Sequence, residues 1–117
     1  MIRIKRVYEK PEASDGVRIL VDRLWPRGLT KDKAEIVYWA KDISPSTELR
    51  QWYNHTPEKW KEFQKRYRAE LDANPEGIEK LKAYTTKDTV TFVYSSKEEK
   101  INNAEALRSY LETSGKR

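Results

Sequence analysis

The chain has 117 residues, 37% hydrophobic and 37% charged, with 24 Lys and Arg against 19 Asp and Glu for a net charge of +5. That length suits one domain, and a mean hydropathy of -0.98, with no run near the roughly 20 apolar residues of a spanning helix, excludes a membrane span. Cysteine is absent and histidine occurs once, which removes disulfides, thiolate catalysis, cysteine metal sites and a histidine-based metal centre.

No metal or cofactor is therefore expected, and the first six residues lack the apolar stretch of a signal peptide, which points to the cytoplasm. The basic excess is spread over a mixed surface rather than gathered in a tail. Lys59, Lys61, Lys65, Arg66 and Arg68 form a basic cluster, but Glu58, Glu62 and Glu70 are interleaved with them. Such spacing reads as a solvated helix face with local pairing rather than a phosphate-tracking surface.

In chain order, residues 2–8 alternate apolar and basic side chains like a strand near a sheet edge, and residues 11–16 form a polar turn ending in Asp15-Gly16. Residues 17–22 contain the run Ile19-Leu20-Val21, which fits a strand covered on both faces. Gly28-Leu29-Thr30 opens a short helical turn with Thr30 as its cap, and residues 36–40 read as a third strand, weaker than the others, or alternatively as a helix end. Ser44-Pro45-Ser46 caps a short helix with Leu49, Trp52 and Tyr53 facing inward.

Thr56-Pro57 is a cap followed by proline at the first helical position, and Trp60, Phe63, Tyr67 and Leu71 recur at helical spacing. Asn74-Pro75 repeats the start signal for a helix carrying Ile78, Leu81 and Tyr84. Residues 89–94 are β-branched and aromatic, hence a strand ended by Ser95-Ser96. The last helix aligns Ile101, Ala104, Leu107 and Leu111, which leaves a single domain over residues 1–113 and a frayed tail over 114–117.

Strands separated by helical segments predict an α/β fold, a small three-layer domain with a mainly parallel sheet of three to four strands flanked by helices. In that architecture the C-terminal strand ends share one edge, where ligands bind. Residues 22–28, 41–46 and 94–103 should converge there.

The chemistry at that edge starts with Arg23 and Arg27, whose guanidinium groups can hold a carboxylate or phosphate through paired hydrogen bonds, with Gly28 allowing close backbone approach. Asp22 has three readings: an ion pair with a neighbouring arginine, a general base or a metal ligand. A lone carboxylate supplies no partnered acid and base, so the ion pair is expected. Trp25 is either packing beneath Pro26 or a ligand wall, and Ser95 and Ser96 are placed at a helix N-terminus, capping it or binding an anion. Asn102 and Asn103 offer amides to a ligand or an adjacent loop, and His55 precedes a cap as a turn residue or proton shuttle.

The segments over residues 18–28 and 39–50, with His55-Thr56-Pro57 and the downstream aromatics, resemble the YeaO-like family of uncharacterised bacterial proteins, domain of unknown function 488. The resemblance covers nearly the whole chain and implies a small cytoplasmic α/β domain with no established activity. It directs attention to Asp22, Arg23, Arg27, Lys41, Asp42, Ser46, Arg50 and His55. Longer relatives carry cysteine and histidine after the last strand, and the YeaO-like branch shows tyrosine there and a histidine-asparagine pair at the next helix. This chain has Tyr94 and Asn102 but Ile101 where that histidine is common, so a proton-transfer or thiol mechanism through those positions does not carry over.

Three functions follow as expectations. The first is binding of an anionic small molecule or phosphate group by Arg23, Trp25, Arg27, Gly28, Lys41, Ser46, Arg50, Tyr94, Ser95, Asn102 and Asn103. The second is a hydrolase or transferase on an anionic substrate, with Asp22 or Asp42 as base, His55 as shuttle and Ser95 or Tyr94 as donor. The third is a nucleic-acid-binding accessory protein, favoured if the basic cluster and the arginine turn form one positive face. No nucleophile, base and orienting group stand together, which ranks binding first.

Overall fold

The computed structural model describes residues 1–114; of the expected tail, residues 115–117 lie outside the described ones and Ser114 closes the last helix. Four strands, β1 (Ile2–Arg6), β2 (Val17–Leu20), β3 (Tyr38–Trp39) and β4 (Val90–Tyr94), form one sheet in the order β1-β4-β2-β3. Every pairing is parallel, with Ile4 and Ile19 both in register with Phe92. β4 sits between β1 and β2, and all five of its residues are buried. Its unbroken β-branched and aromatic run is the composition a strand covered on both faces requires.

Five helices accompany the sheet: α1 (Lys31–Ala34), α2 (Thr47–Tyr53), α3 (Trp60–Asp72), α4 (Pro75–Thr85) and α5 (Asn103–Ser114). Strand side chains alternate between faces. Ile19, Val90, Phe92 and Tyr94 join the main core with Leu49 and Tyr53 of α2, Phe63, Tyr67 and Leu71 of α3, Ile78 and Leu81 of α4, and Leu107 and Leu111 of α5. Val7, Leu20 and Val93 face the other way, into a smaller core with Ala34 of α1 and the half-buried Trp25, Leu29, Ile36 and Trp39. The three layers are thus four helices, the sheet, and a thin cover made of α1 and loops.

The caps follow the sequence except at two helix starts. Thr30 Oγ1 accepts from the Lys33 N–H, Ser46 Oγ from that of Leu49, and Asn74 Oδ1 from that of Gly77. Thr56 makes no side-chain cap bond; Pro57–Lys59 is a 3₁₀ turn, and the α-helix begins at Trp60. The last helix begins at Asn103, with the Asn102 side chain accepting from Glu105 N–H, so Ser95, Ser96 and Ile101 precede it in a loop. Trp52 is half-buried: it packs against the edge of the main core and carries Lys59 and Arg66 over its ring, at 4.9 and 4.2 Å.

The second sheet face carries a polar row, with Arg3, Thr91 and Arg18 in register across three strands. Arg18, 3% exposed, donates to Asp15 Oδ2 at 2.8 Å and to the Ala34 carbonyl at 2.8 Å. Lys5 Nζ reaches Asp15 Oδ1 at 3.2 Å, and Thr91 Oγ1 donates to the Asp15 carbonyl. Burial alone would raise the Asp15 carboxyl, but the Glu12 N–H and the Arg18 and Lys5 cations outweigh it and hold the carboxyl below its ordinary range. Gly16 follows at φ +64°, where a Cβ would lie 2.1 Å from the Thr89 carbonyl oxygen, so only glycine fits this approach to the entry of β4.

Candidate functional site

The chain leaves β2 through Val21, whose N–H still bonds the Val93 carbonyl, and reaches Asp22. The expected ion pair does not form. Asp22 Oδ2 accepts from the Ser95 N–H and hydroxyl, each at 2.8 Å, and Oδ1 accepts from the Asn103 amide at 2.9 Å. The same Asn103 amide donates to the Val21 carbonyl at 2.8 Å, and the Trp39 indole N–H donates to the Asp22 carbonyl at 2.7 Å. One carboxylate therefore ties the ends of β2 and β4 to the start of α5, because the parallel register delivers both strand ends to the same edge.

Arg23 turns away from Asp22. Its Nε and Nη2 donate to the carbonyls of Pro45 and Ser44 at 3.1 and 3.0 Å, which latches the turn before α2 onto the β2 loop. Tyr67 anchors the same turn from α3, its fully buried hydroxyl donating to the Ile43 carbonyl at 2.6 Å; burial raises its pKa and keeps it protonated. Trp25 has a structural partner in each direction, donating to the Leu29 carbonyl at 2.7 Å and meeting the Trp39 ring edge-on at 5.5 Å.

Between these loops lies a cleft of about 760 Å³. Residues 22–27 of the β2 loop line one side, the segment after β4 lines another through Ser95 to Glu98 and Ile101 to Asn103, and Arg50, Tyr53 and His55 from the end of α2 complete it with Pro45, Pro57 and Phe63. Two arginines reach it from separate elements, Arg27 from the β2 loop and Arg50 from α2. Both are exposed, and neither guanidinium has a hydrogen-bond or ion-pair partner among the described residues. Lys97 and His55 add to this side, while the lining carboxylates are the tied Asp22 and Glu98.

Of the residues the sequence singles out, the cleft brings together Asp22, Arg23, Trp25, Arg27, Arg50, His55, Ser95, Asn102 and Asn103. It leaves five outside. Tyr94 is 2% exposed within the main core, and Gly28 forms a turn at φ +83° beside the cleft. Lys41 lies exposed with its ammonium 5.2 Å from the Trp39 ring centre. Ser46, the cap of α2, is bonded to Glu70 and with Asp42 borders a separate, shallower hollow of about 320 Å³. His55 occupies a left-handed turn at φ +52°, exposed, after Asn54 at φ +42°.

Sequence reasoning placed Lys97 and Ile101 at this edge only as part of the segment 94–103, and it missed Tyr8, Tyr53 and Phe63 as cleft residues. The helical spacing of Tyr53 and Phe63 marks them for the core, which they also serve; only the docking of α2 and α3 beside the strand ends turns one edge of each toward the cleft. Tyr8 arrives because its hydroxyl donates to the Arg27 carbonyl at 2.9 Å. Among the described residues, no group of three or more His, Asp and Glu stands together as a metal site, and no helix is long and apolar enough to cross a membrane.

The basic cluster of α3 is largely engaged within the protein. Arg66 pairs with Glu62 at 3.0 Å and lies over Trp52, Arg68 lies over Tyr110, and Lys59 donates to the Trp52 carbonyl.

A model of the inactive DUF488-N3 subclade matches residues 1–117. The uncharacterized protein YeaO of Escherichia coli strain K12 is 41% identical over 110 residues, which cover 94% of this chain and 96% of that one. The uncharacterized protein Rv3073c of Mycobacterium tuberculosis is 40% identical over 110 residues, covering 94% of this chain and 92% of the relative, and the uncharacterized protein Mb3100c of Mycobacterium bovis matches equally. No solved structure matches the chain at a significant level.

Proposed function

This chain belongs to the inactive DUF488-N3 subclade of a family of unknown function, and from that premise we propose that it is a binding domain that holds an anionic ligand in the cleft at the strand ends without turning it over. The observation that carries this reading is the pair of unpartnered guanidinium groups, Arg27 and Arg50, on one cleft. Planar, permanently charged groups entering from separate elements suit the two-sided capture of a carboxylate or phosphate. The twelve-residue α5 starts at the same cleft, and its N-terminal dipole favours negative charge there.

The candidate catalytic groups support binding over turnover. Both oxygens of Asp22 already accept from Ser95 and Asn103, and its Ser95 partner offers its hydroxyl proton to that carboxylate. A carboxylate with three of its roughly four lone-pair sites taken by positioning bonds is poorly placed to take a substrate proton. Asp42 borders the other hollow, away from His55.

The test is a thermal-shift panel of phosphorylated metabolites, nucleotides, organic acids and short oligonucleotides on the wild type, Arg27→Ala and Arg50→Ala. A ligand that binds only the native state raises its melting temperature. Both arginines are exposed and unpartnered, so both variants should keep the wild-type midpoint without ligand, within about 0.5 kcal/mol of stability. A stabilising anion whose effect disappears in both variants supports the reading; stabilisation that persists in both refutes it.

A further inference from the structure

We infer that the ligand of this cleft is an organic anion with a flat apolar body, not a small inorganic ion; the inference rests on the anion-binding reading above and names the class of molecule that satisfies it. The first argument is size. A cleft of about 760 Å³ falls within the range of pockets that enclose drug-sized organic molecules, and an inorganic phosphate beside Arg27 and Arg50 would leave most of it to water.

The second argument is the lining. Trp25 and Pro26 come from the β2 loop, Tyr53 and Phe63 from α2 and α3, and Ile101 from the segment before α5. Tyr53, Phe63 and Pro26 are buried and show the cleft little more than an edge, while the half-buried Trp25 and Ile101 and the exposed Leu24 and Tyr8 keep apolar surface in water that an apolar partner covers and a hydrated ion does not. The aromatic side is firmly built. Tyr53 and Phe63 meet at a tilt of 34° with ring centres 4.5 Å apart, Trp60 stacks on Phe63 at 5.6 Å, and the Tyr53 hydroxyl donates to the Ile101 carbonyl at 3.3 Å. These fixed rings give the cleft a firm floor, and the half-buried Trp25 and the exposed Tyr8, which also line it, offer ring surface on which a planar body stacks.

The third argument is charge. The lining carries Arg23, Arg27, Arg50 and Lys97 against Asp22 and Glu98, four formal positive charges to two negative, since the neutral Ser95 and Asn103 donors leave the Asp22 charge in place. The cationic excess is suited to one carboxylate, sulfonate or phosphate group on a molecule whose remainder is uncharged. Guanidinium planes also stack on flat rings, so the arginines can contact both parts of such a ligand.

The probe for this class is 8-anilinonaphthalene-1-sulfonate, a flat aromatic anion, followed by its fluorescence on the intact protein. The neutral comparison is N-phenyl-1-naphthylamine, and the purely ionic one is inorganic phosphate, followed by calorimetry and by displacement of the sulfonate. Expected are saturable one-to-one binding of the sulfonate, a loss of about tenfold or more in affinity in the Arg27→Ala/Arg50→Ala double variant, equally weak binding of the neutral compound, and no displacement by excess phosphate. Tight phosphate binding that displaces the sulfonate and is lost in the double variant overturns the inference while leaving the anion-binding reading intact. Equal binding of the neutral and sulfonated compounds, untouched by the double variant, overturns both. Absence of sulfonate binding at any protein concentration overturns the inference alone, and the panel above then decides the reading.

Discussion

Replacing Asp22 by asparagine keeps the shape of the side chain and removes its charge, so the outcome reports on what the carboxylate does. The carboxylate accepts three hydrogen bonds, two from Ser95 at 2.8 Å and one from Asn103 at 2.9 Å. An asparagine oxygen turned toward Ser95 retains two of them but sets its own NH₂ against the Asn103 NH₂. That amide cannot turn over without losing the Val21 carbonyl. One bond is thus replaced by opposed donors and two lose their ionic character. Hydrogen bonds to charged groups contribute about 1.5–3 kcal/mol, and because Asp22 is only half-buried the lower part of that range applies, a net loss of about 2 kcal/mol. With an unfolding entropy of about 2.1 cal/mol/K per residue over 117 residues, the melting temperature falls by about 8 °C. Calorimetry on the purified variant reads this directly. Asn103→Ala added to Asp22→Asn should cost less than the sum of the two single changes by about 1 kcal/mol, since both remove the same contact. A wild-type melting temperature for Asp22→Asn, or strict additivity of the pair, refutes the brace.

Three other outcomes test the frame around the site. Asp15→Asn leaves the Arg18 guanidinium buried without its carboxylate and should destabilise by about 3–5 kcal/mol in urea unfolding. In the wild type the Asp15 carboxyl is held below its ordinary pKa, so its contribution is complete above the unfolded value near 3.9. It drains away as pH falls through the lower folded value, and stability measured from pH 5 downward should decline over that window. Gly16→Ala combines a positive φ with a Cβ 2.1 Å from backbone oxygen and should cost well over 1 kcal/mol; Gly28→Ala, at φ +83° with open space around it, should cost about 1–2 kcal/mol for the left-handed backbone alone. Phe63→Ala, 2% exposed among Tyr53, Trp60 and Tyr67, should cost about 3–5 kcal/mol by chemical denaturation and also strip the aromatic wall of the cleft.

The elements that read correctly from sequence are those whose signals are local. β4 carries five buried β-branched and aromatic residues in succession, and Asn74-Pro75 at the head of α4 supplies both a capping side chain and a proline that needs no N–H partner. The errors arise where the deciding contact is distant. Ser95 and Ser96 follow a strand and resemble caps, yet Ser95 bonds Asp22, 73 positions away in the chain, and the helix waits for Asn102. Arg18 alternates correctly as a strand residue, but nothing nearby announces that Asp15 and Ala34 will enclose it.

The hydrophobic pattern, the capping residues and the turn glycines determined by themselves that this chain makes a parallel α/β sheet with its polar loops at one edge, because each acts through neighbours a few positions away. Tertiary structure alone decided which polar groups at that edge remain free. Asp22 is taken by Ser95 and Asn103, Arg23 by the carbonyls of Ser44 and Pro45, while Arg27 and Arg50 stay unpartnered on a cleft walled by core aromatics. In sequence all four are charged side chains of the same few loops; only the docking of α2 and α5 against the strand ends assigns two of them to the frame and leaves two unpartnered.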